Sequence, residues 1–181
     1  MSVLAPETTA RAGEYLRFVD SEPKLKEGRS DGYIGRLHGH FCVFNRWTKI
    51  DNHEGRFMER IAPGACATTF AEDRAKIKCI FQHGQDPQAG MKPLGPILEL
   101  EEDAHGGRYE VGLLDADYVR ALLPALKEPS GSLYGASFRF QVLREHVDRF
   151  PAKAAHNPDG IEERTITEMR VREFGPVTFP A

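Results

Sequence analysis

Ser137 stands in a short stretch, SLYGASFRF (132–140), whose residue types fit a serine nucleophile. Two small residues, Gly135 and Ala136, precede the hydroxyl and leave room for a substrate backbone to approach closely. Arg139 follows two positions later, and in a strand it shares a face with Ser137. A guanidinium at that place fits an oxyanion or a substrate carbonyl. The stretch therefore predicts acyl transfer, with Gly135 and Arg139 on the substrate side.

The same alternation has a plainer explanation. Phe138 and Phe140 would fill the core, while Ser137 and Arg139 would lie on a solvated face. That interpretation accounts for the whole pattern without any chemistry, so a base and an orienting acid must be found elsewhere.

His83 is the candidate base. It follows an apolar strand, IKCIF (77–81), and opens a loop rich in Gly and Pro (84–95). A histidine at a strand end beside such a loop is well placed for proton transfer. The alternative is a loop histidine without a role.

Two acids in the stretch ITEMRVREF (166–174) are candidates to orient the histidine. Glu168 and Glu173 are both candidates, because both lie inside a largely alternating apolar strand. Surface charge is the alternative explanation for at least one of them.

Other histidines raise the question of a metal site. His38 and His40 share one strand face, and Asp51 and His53 follow nearby in sequence. Because no third ligand has suitable local spacing, we predict no metal and no cofactor. A hydrolase that uses His38, His40 and Asp51 with a metal is the least favoured alternative.

Composition limits the classes of function. The 181 residues suffice for one domain, and a net charge of -3 argues against a nucleic-acid binder. No apolar run approaches the roughly 20 residues that span a bilayer, and the N-terminus lacks a secretory signal pattern. Three cysteines without metal spacing are typical of buried small side chains in a reducing compartment. We expect an intracellular protein that binds neither nucleic acid nor membrane.

The elements predict a mainly β fold with helical insertions. Strand patterns recur over 33–45, 57–61, 77–82 and 132–147, and as pairs over 96–115 and 164–180. Helices are predicted near 65–72 and within 115–129, where Pro124 kinks or shortens the second. Strand and helix do not alternate regularly, which favours a mainly antiparallel barrel or sandwich. Residues 1–30 are predicted to be a polar arm, and 31–181 the domain.

Five segments in the same order resemble the prohead serine proteases of tailed bacteriophages, which are distantly similar to herpesvirus assemblin. They are GYIGRLHGHFCVFN, FMERIAPGACATTF, FQHGQDPQAGMKPLG, YGASFRF and ITEMRVREFGPVTFPA, and they cover roughly residues 30–181. The chain departs from the family pattern at Gly84, Arg139 and Gly175, where the family often has Asp, Gly and Ser.

The resemblance implies a closed antiparallel β-barrel surrounded by a few helices. It also implies Ser137 as the nucleophile, His83 as the base, and Glu168 or alternatively Glu173 as the third member. The implied activity is that of a serine endopeptidase that cleaves scaffold segments of the major capsid protein, separate scaffold proteins and itself. Its place would be the procapsid in the host bacterial cytoplasm, with self-association expected.

A non-catalytic alternative stays open. The same domain would then recruit capsid protein through its surface as a scaffold-like interaction module. The presence of both Ser137 and His83 at the matching places favours the enzyme.

Overall fold

The computed structural model describes residues 8–9, 13–19, 21–128 and 134–178, and strands predominate among them. The strands are β1 (Thr8–Thr9), β2 (Tyr15–Val19), β3 (Lys24–Ser30), β4 (Tyr33–Val43), β5 (Thr48–Asn52), β6 (Gly55–Ile61), β7 (Lys78–Cys79), β8 (Ile97–Glu102), β9 (Gly106–Gly112), β10 (Gly135–Asp148) and β11 (Glu163–Val177). The connections hold α1 (Ala67–Glu72), α2 (Asp117–Arg120), α3 (Leu123–Leu126) and two 3-10 turns, Arg74–Lys76 and Phe81–Gly84. The prediction of a mainly β chain with helical insertions is confirmed.

The strands form two sheets. The first has the order β1-β10-β11-β6-β5, with β2 also beside β10 and β7 beside β11, and the second has the order β3-β4-β9-β8. β11 runs parallel to β6 and β7, so the first sheet is mixed rather than purely antiparallel. Neither sheet closes on itself in the described part of the chain, so the closed barrel implied by the resemblance is not observed.

Part of the predicted polar arm is structured. β2 is an edge strand of the first sheet and β3 an edge strand of the second, so position 30 is not a structural boundary. Val19 of β2 is buried in the core. The sequence of β3, KLKEGRS, is largely polar, and the apolar stretch of β2, YLRFV, stands between polar residues, so neither strand was predicted.

The antiparallel pairing of β10 with β11 is the longest in the molecule. It runs from Gly135 opposite Val177 to Asp148 opposite Glu163, with irregularities after Arg139 and around Arg144. The sequence predicted a pair of strands in this last segment, but β11 is one continuous strand. No turn forms in it, because Gly175 and Pro176 stay extended and pair with β10.

Aromatic rings fill the space between the two sheets. The ring of Phe174 stacks on that of Phe41, with centroids 5.1 Å apart, and its centroid lies 4.6 Å from that of Tyr109. Phe41 also meets Phe138 edge to face, with centroids 5.6 Å apart. All four rings are almost fully buried. Fully burying each such side chain contributes about 1.5–3 kcal/mol, so this cluster holds the sheets at a fixed separation.

The helical insertions are short. Pro124 lies in the first turn of α3, where its ring is tolerated, and α2 ends before it as the sequence predicts. Among the described residues, no helix has the length and apolar character that crossing a lipid bilayer requires.

Gly175 lets one connection cross very close to β11. A Cβ atom at Gly175 would lie 2.0 Å from the carbonyl oxygen of Ile80, a distance that real side chains do not adopt. The Ile80 N–H also donates to the carbonyl of Phe174 at 2.9 Å. The absent side chain therefore brings the main chain after β7 against the end of β11.

We predict that Gly175→Ala destabilises the protein, because the new methyl group must push the Ile80 backbone away. The expected loss in the free energy of unfolding is about 1–3 kcal/mol, measured by urea denaturation. Gly13→Ala is the control, since its added Cβ would meet no atom closer than 3.7 Å. Equal midpoints for the two variants would contradict the close approach.

Candidate active site

Ser137 lies in β10 with no exposed surface. Its strand partners are Phe18 of β2 on one side and Gly175 of β11 on the other. The plainer interpretation, in which Ser137 sits on a solvated face, is therefore wrong. Phe138 and Phe140 do fill the core, as the alternation predicts.

His83 approaches Ser137 from the connection after β7. Its Nε2 atom lies 2.7 Å from the Ser137 Oγ atom, and its side chain is almost fully buried. The predicted strand 77–82 is shorter than expected: β7 covers two residues, and His83 lies in the 3-10 turn Phe81–Gly84.

The backbone at His83 is strained. Gln82 and His83 both have left-handed φ values, 50° and 53°, which cost non-glycine residues of order 1 kcal/mol each. The Gln82 side chain donates a hydrogen bond to Thr178 Oγ1, beyond the end of β11. This hydrogen bond and the close packing of Ile80 on Gly175 hold the imidazole over the strands. Backbone strain of this kind concentrates at functional sites.

Glu173 of β11 is the acid that meets His83. The Nδ1 atom of His83 donates to Glu173 Oε1 at 2.7 Å. Both side chains are buried, at 7% and 8% exposure, so solvent weakens this bond little. Glu173 Oε2 is also buried and has no hydrogen-bond partner among the described residues.

Glu168, the first choice for this role, lies elsewhere. It is five residues before Glu173 in β11, about 16 Å along the strand at the usual rise. Its carboxylate accepts a hydrogen bond from Arg144, which lowers the pKa of Glu168. The expectation that Glu168 orients His83 is corrected in favour of the second choice, because Glu173 pairs with Arg139, two positions from Ser137, whereas Glu168 pairs with Arg144.

The two residues predicted on the substrate side flank Ser137 in β10. Gly135 opens the strand opposite Val177. Arg139 lies opposite Glu173, and its Nε atom is 3.4 Å from Glu173 Oε1, the oxygen that also accepts from His83. The Arg139 side chain is 30% exposed, so it contacts both solvent and the buried Glu173 carboxylate.

Together these contacts form a chain of hydrogen bonds from a hydroxyl through an imidazole to a carboxylate. A carboxylate that accepts from Nδ1 fixes the tautomer in which Nε2 is free to take a proton. Nε2 at 2.7 Å from Oγ is within the range for direct proton transfer. The arrangement can therefore generate a serine nucleophile.

β2, which the sequence assigned to an arm, also contributes to this site. The Phe18 ring meets the His83 ring edge to face, with centroids 6.4 Å apart. The Ser137 Oγ atom lies 3.0 Å from the carbonyl oxygen of Arg17. No local motif in the arm signals these contacts, since they depend on pairing across about 120 residues.

The other histidines do not join this site. His40 Nε2 lies 2.8 Å from Asp103 Oδ2, which lowers the pKa of Asp103 to about 2, and His38 lies in the same strand β4. Asp51 lies in β5 of the other sheet and faces Arg56. Across the described ranges, no three His, Cys, Asp or Glu side chains converge in a way that could hold a metal ion.

Comparison with known proteins identifies the family of this chain. A family model described as caudovirus prohead serine protease matches residues 21–181. The capsid assembly protease of bacteriophage T4 is similar in structure, with a TM-score of 0.46, 10% sequence identity, and coverage of 91% of this chain and 99% of that chain. A search of curated proteins finds no significant match.

We predict that the cysteine nearest the site is inert in the folded protein. Burial raises the pKa of the Cys79 thiol, and the charge of Glu173 raises it further, whereas alkylation requires a thiolate. Cys42 and Cys66 are buried as well. Iodoacetamide at pH 8 should leave all three thiols unmodified in native protein and modify all three in urea, as read by mass spectrometry. Rapid alkylation of Cys79 in the native protein would contradict its burial and its raised pKa.

Proposed function

The chain belongs to the caudovirus prohead serine proteases, and on that basis we propose that it is a serine endopeptidase with Ser137 as nucleophile, His83 as general base and Glu173 as the orienting acid. One observation carries this assignment: a single imidazole lies 2.7 Å from the hydroxyl through one nitrogen and 2.7 Å from the carboxylate through the other. All three groups are buried, which favours precise geometry.

In the acylation step, His83 Nε2 takes the Ser137 proton while Oγ attacks the scissile carbonyl carbon. Glu173 stays ionised and stabilises the imidazolium. His83 then gives the proton to the leaving amine as the C–N bond breaks. In deacylation, water gives one proton to His83 and attacks the acyl carbon. The bond from that carbon to Ser137 Oγ then breaks as His83 returns the proton to Oγ, and the carboxylic acid product leaves.

The oxyanion of the tetrahedral intermediate needs donors near Ser137. We propose main-chain N–H groups around Gly135 for this role. Arg139 supports the site through its ion pair with Glu173, and its predicted contact with the oxyanion or a substrate carbonyl stays a prediction.

We propose that the substrates are scaffold segments of the major capsid protein, scaffold proteins and the chain itself, cleaved inside the procapsid in the host cytoplasm. Support comes from the family, whose members are described as prohead serine proteases. Self-association stays a prediction.

Co-expression with the major capsid protein tests this function. We expect the parent chain to cleave the capsid protein, and Ser137→Ala and His83→Ala each to lower the rate at least about 1,000-fold, because the hydroxyl and the base act as a unit. Near-ultraviolet circular dichroism confirms that each variant folds. Equal cleavage by all three chains would exclude these residues, and binding without any cleavage would favour the interaction module.

A matched pair of acids tests the third member. Glu173→Gln should lower kcat/KM by about 10²–10⁴-fold, because the amide neither stabilises an imidazolium nor fixes one tautomer. Glu168→Gln removes an acid from the same strand and should stay within about twofold of the parent, since it breaks only a peripheral ion pair. A peptide hydrolysis assay measures both values. The opposite ranking would return the role to Glu168.

A further inference from the structure

β2 covers one edge of β10 at the residues around Ser137. It pairs antiparallel with β10 from Val19 opposite Ala136 to Tyr15 opposite Phe140. β11 occupies the other edge of β10 along the same residues. The match to the family begins at residue 21, so β2 precedes the segment that the family shares.

The carbonyl of Arg17 competes for the proton of the nucleophile. The Ser137 hydroxyl has one proton and two acceptors within reach, His83 Nε2 at 2.7 Å and the Arg17 carbonyl oxygen at 3.0 Å. A hydroxyl that donates to Arg17 does not donate to the base. Contact with β2 therefore opposes the proton transfer that activates Ser137.

A substrate must also bring a carbonyl group close to the Ser137 Oγ atom. A scissile carbonyl must lie against the nucleophile's oxygen, at roughly 3–3.5 Å between reacting atoms. An extended peptide that adds to a sheet edge brings its carbonyls to such positions through main-chain pairing. β2 thus places a main-chain carbonyl beside Oγ, as a paired substrate would, but this carbonyl accepts a hydrogen bond through its oxygen and is not attacked at its carbon.

An acidic pair holds the Arg17 side chain. Its guanidinium donates to both oxygens of Glu54 at 2.8 Å and to Glu59 at 2.5 and 3.1 Å. Burial acts to lower the pKa of Arg17, but these hydrogen bonds outweigh it and raise the pKa, so the charge is kept. Glu59 is shared with Arg164, whose Nη1 atom lies 3.1 Å away.

There is space beside β2 for further side chains. A pocket of about 340 Å³ lies along the strand, lined in part by Val19, Val43, Glu59, Ile61 and Phe138. It combines an apolar wall with the acid that holds Arg17. A peptide in place of β2 would find there an acidic contact for a basic side chain and an apolar wall.

From this geometry we propose that the edge of β10 from Ala136 to Phe140 is the substrate-binding edge, and that β2 occupies it as a built-in substrate mimic. An extended peptide pairs there after β2 leaves, with a basic residue received by Glu54 and Glu59. This inference rests on the proposed function, since it concerns access to the same serine.

Labelling of Ser137 by a fluorophosphonate probe tests whether β2 blocks the site. The probe reacts when Oγ bonds to phosphorus, fluoride leaves and His83 takes the proton. Arg17→Gln loosens β2 and should raise the labelling rate about tenfold or more, because that rate follows the uncovered fraction. Arg36→Gln is the matched control, an arginine that also pairs with two acids but lies in the second sheet. It should label at the parent rate.

A merely structural role for β2 predicts the opposite result, in which Arg17→Gln labels no faster than the parent while remaining folded. That result would overturn the proposal.

If Arg17→Gln fails to fold, a second variant decides between the two roles. Val19→Cys with Ala136→Cys joins paired positions of β2 and β10 by a disulfide. The oxidised form should label at least about tenfold more slowly than the reduced form, and dithiothreitol should restore the rate. Equal rates in the two forms would overturn the proposal.

A peptide tests the acidic pair directly. A synthetic peptide with the sequence of residues 13–21 should slow labelling of the Arg17→Gln protein. The same peptide with glutamine in place of its arginine should need an about tenfold higher concentration to slow labelling equally. Equal potency of the two peptides would remove the basic preference. These outcomes distinguish the role of β2 from the proposed function. Equal labelling of Ser137 in every form would support Ser137 as the nucleophile and reject the blocking role of β2. No labelling of Ser137 in any form would reject Ser137 as the nucleophile.

Discussion

The register of β10 on β11 is the constraint on which the site depends. With Ser137 opposite Gly175 and Arg139 opposite Glu173, the hydroxyl and the carboxylate lie on one face of neighbouring strands, two positions apart. A slip of one residue would turn one of them into the core, because side chains alternate. The aromatic cluster around Phe174 resists such a slip, since it would have to leave its contacts with Phe41 and Tyr109.

The histidine reaches this face only because β11 presents no side chain at Gly175, where the connection after β7 crosses it. Ile80 lies against Gly175, and two left-handed residues then turn the chain so that the imidazole points back between the strands. The backbone strain is offset by the contacts that the turn makes at both ends of the crossing. Packing thus provides the precise placement that the proposed chemistry requires.

Burial strengthens the hydrogen bond between His83 and Glu173 and also restricts access to Ser137. In a site that excludes water, the bond between His83 and Glu173 is stronger than it would be at a surface. The same burial leaves Ser137 without exposed surface, with β2 on one side and β11 on the other. A substrate must therefore replace part of the protein, and β2, at the edge of its sheet, is the strand that can leave without breaking the β10–β11 pairing.

The sequence by itself determined the residue types of the site, the mainly β class and the family, because alternation, small residues before Ser137 and five ordered segments are local features. It predicted Ser137 and His83 as partners, and the structure brings them together. It did not distinguish Glu168 from Glu173, nor find the role of β2 or the length of β11, and it led to a closed barrel that is not observed. Those features were decided only by the tertiary structure, since they depend on strand register and on contacts between residues about 100 positions apart, which no local pattern encodes.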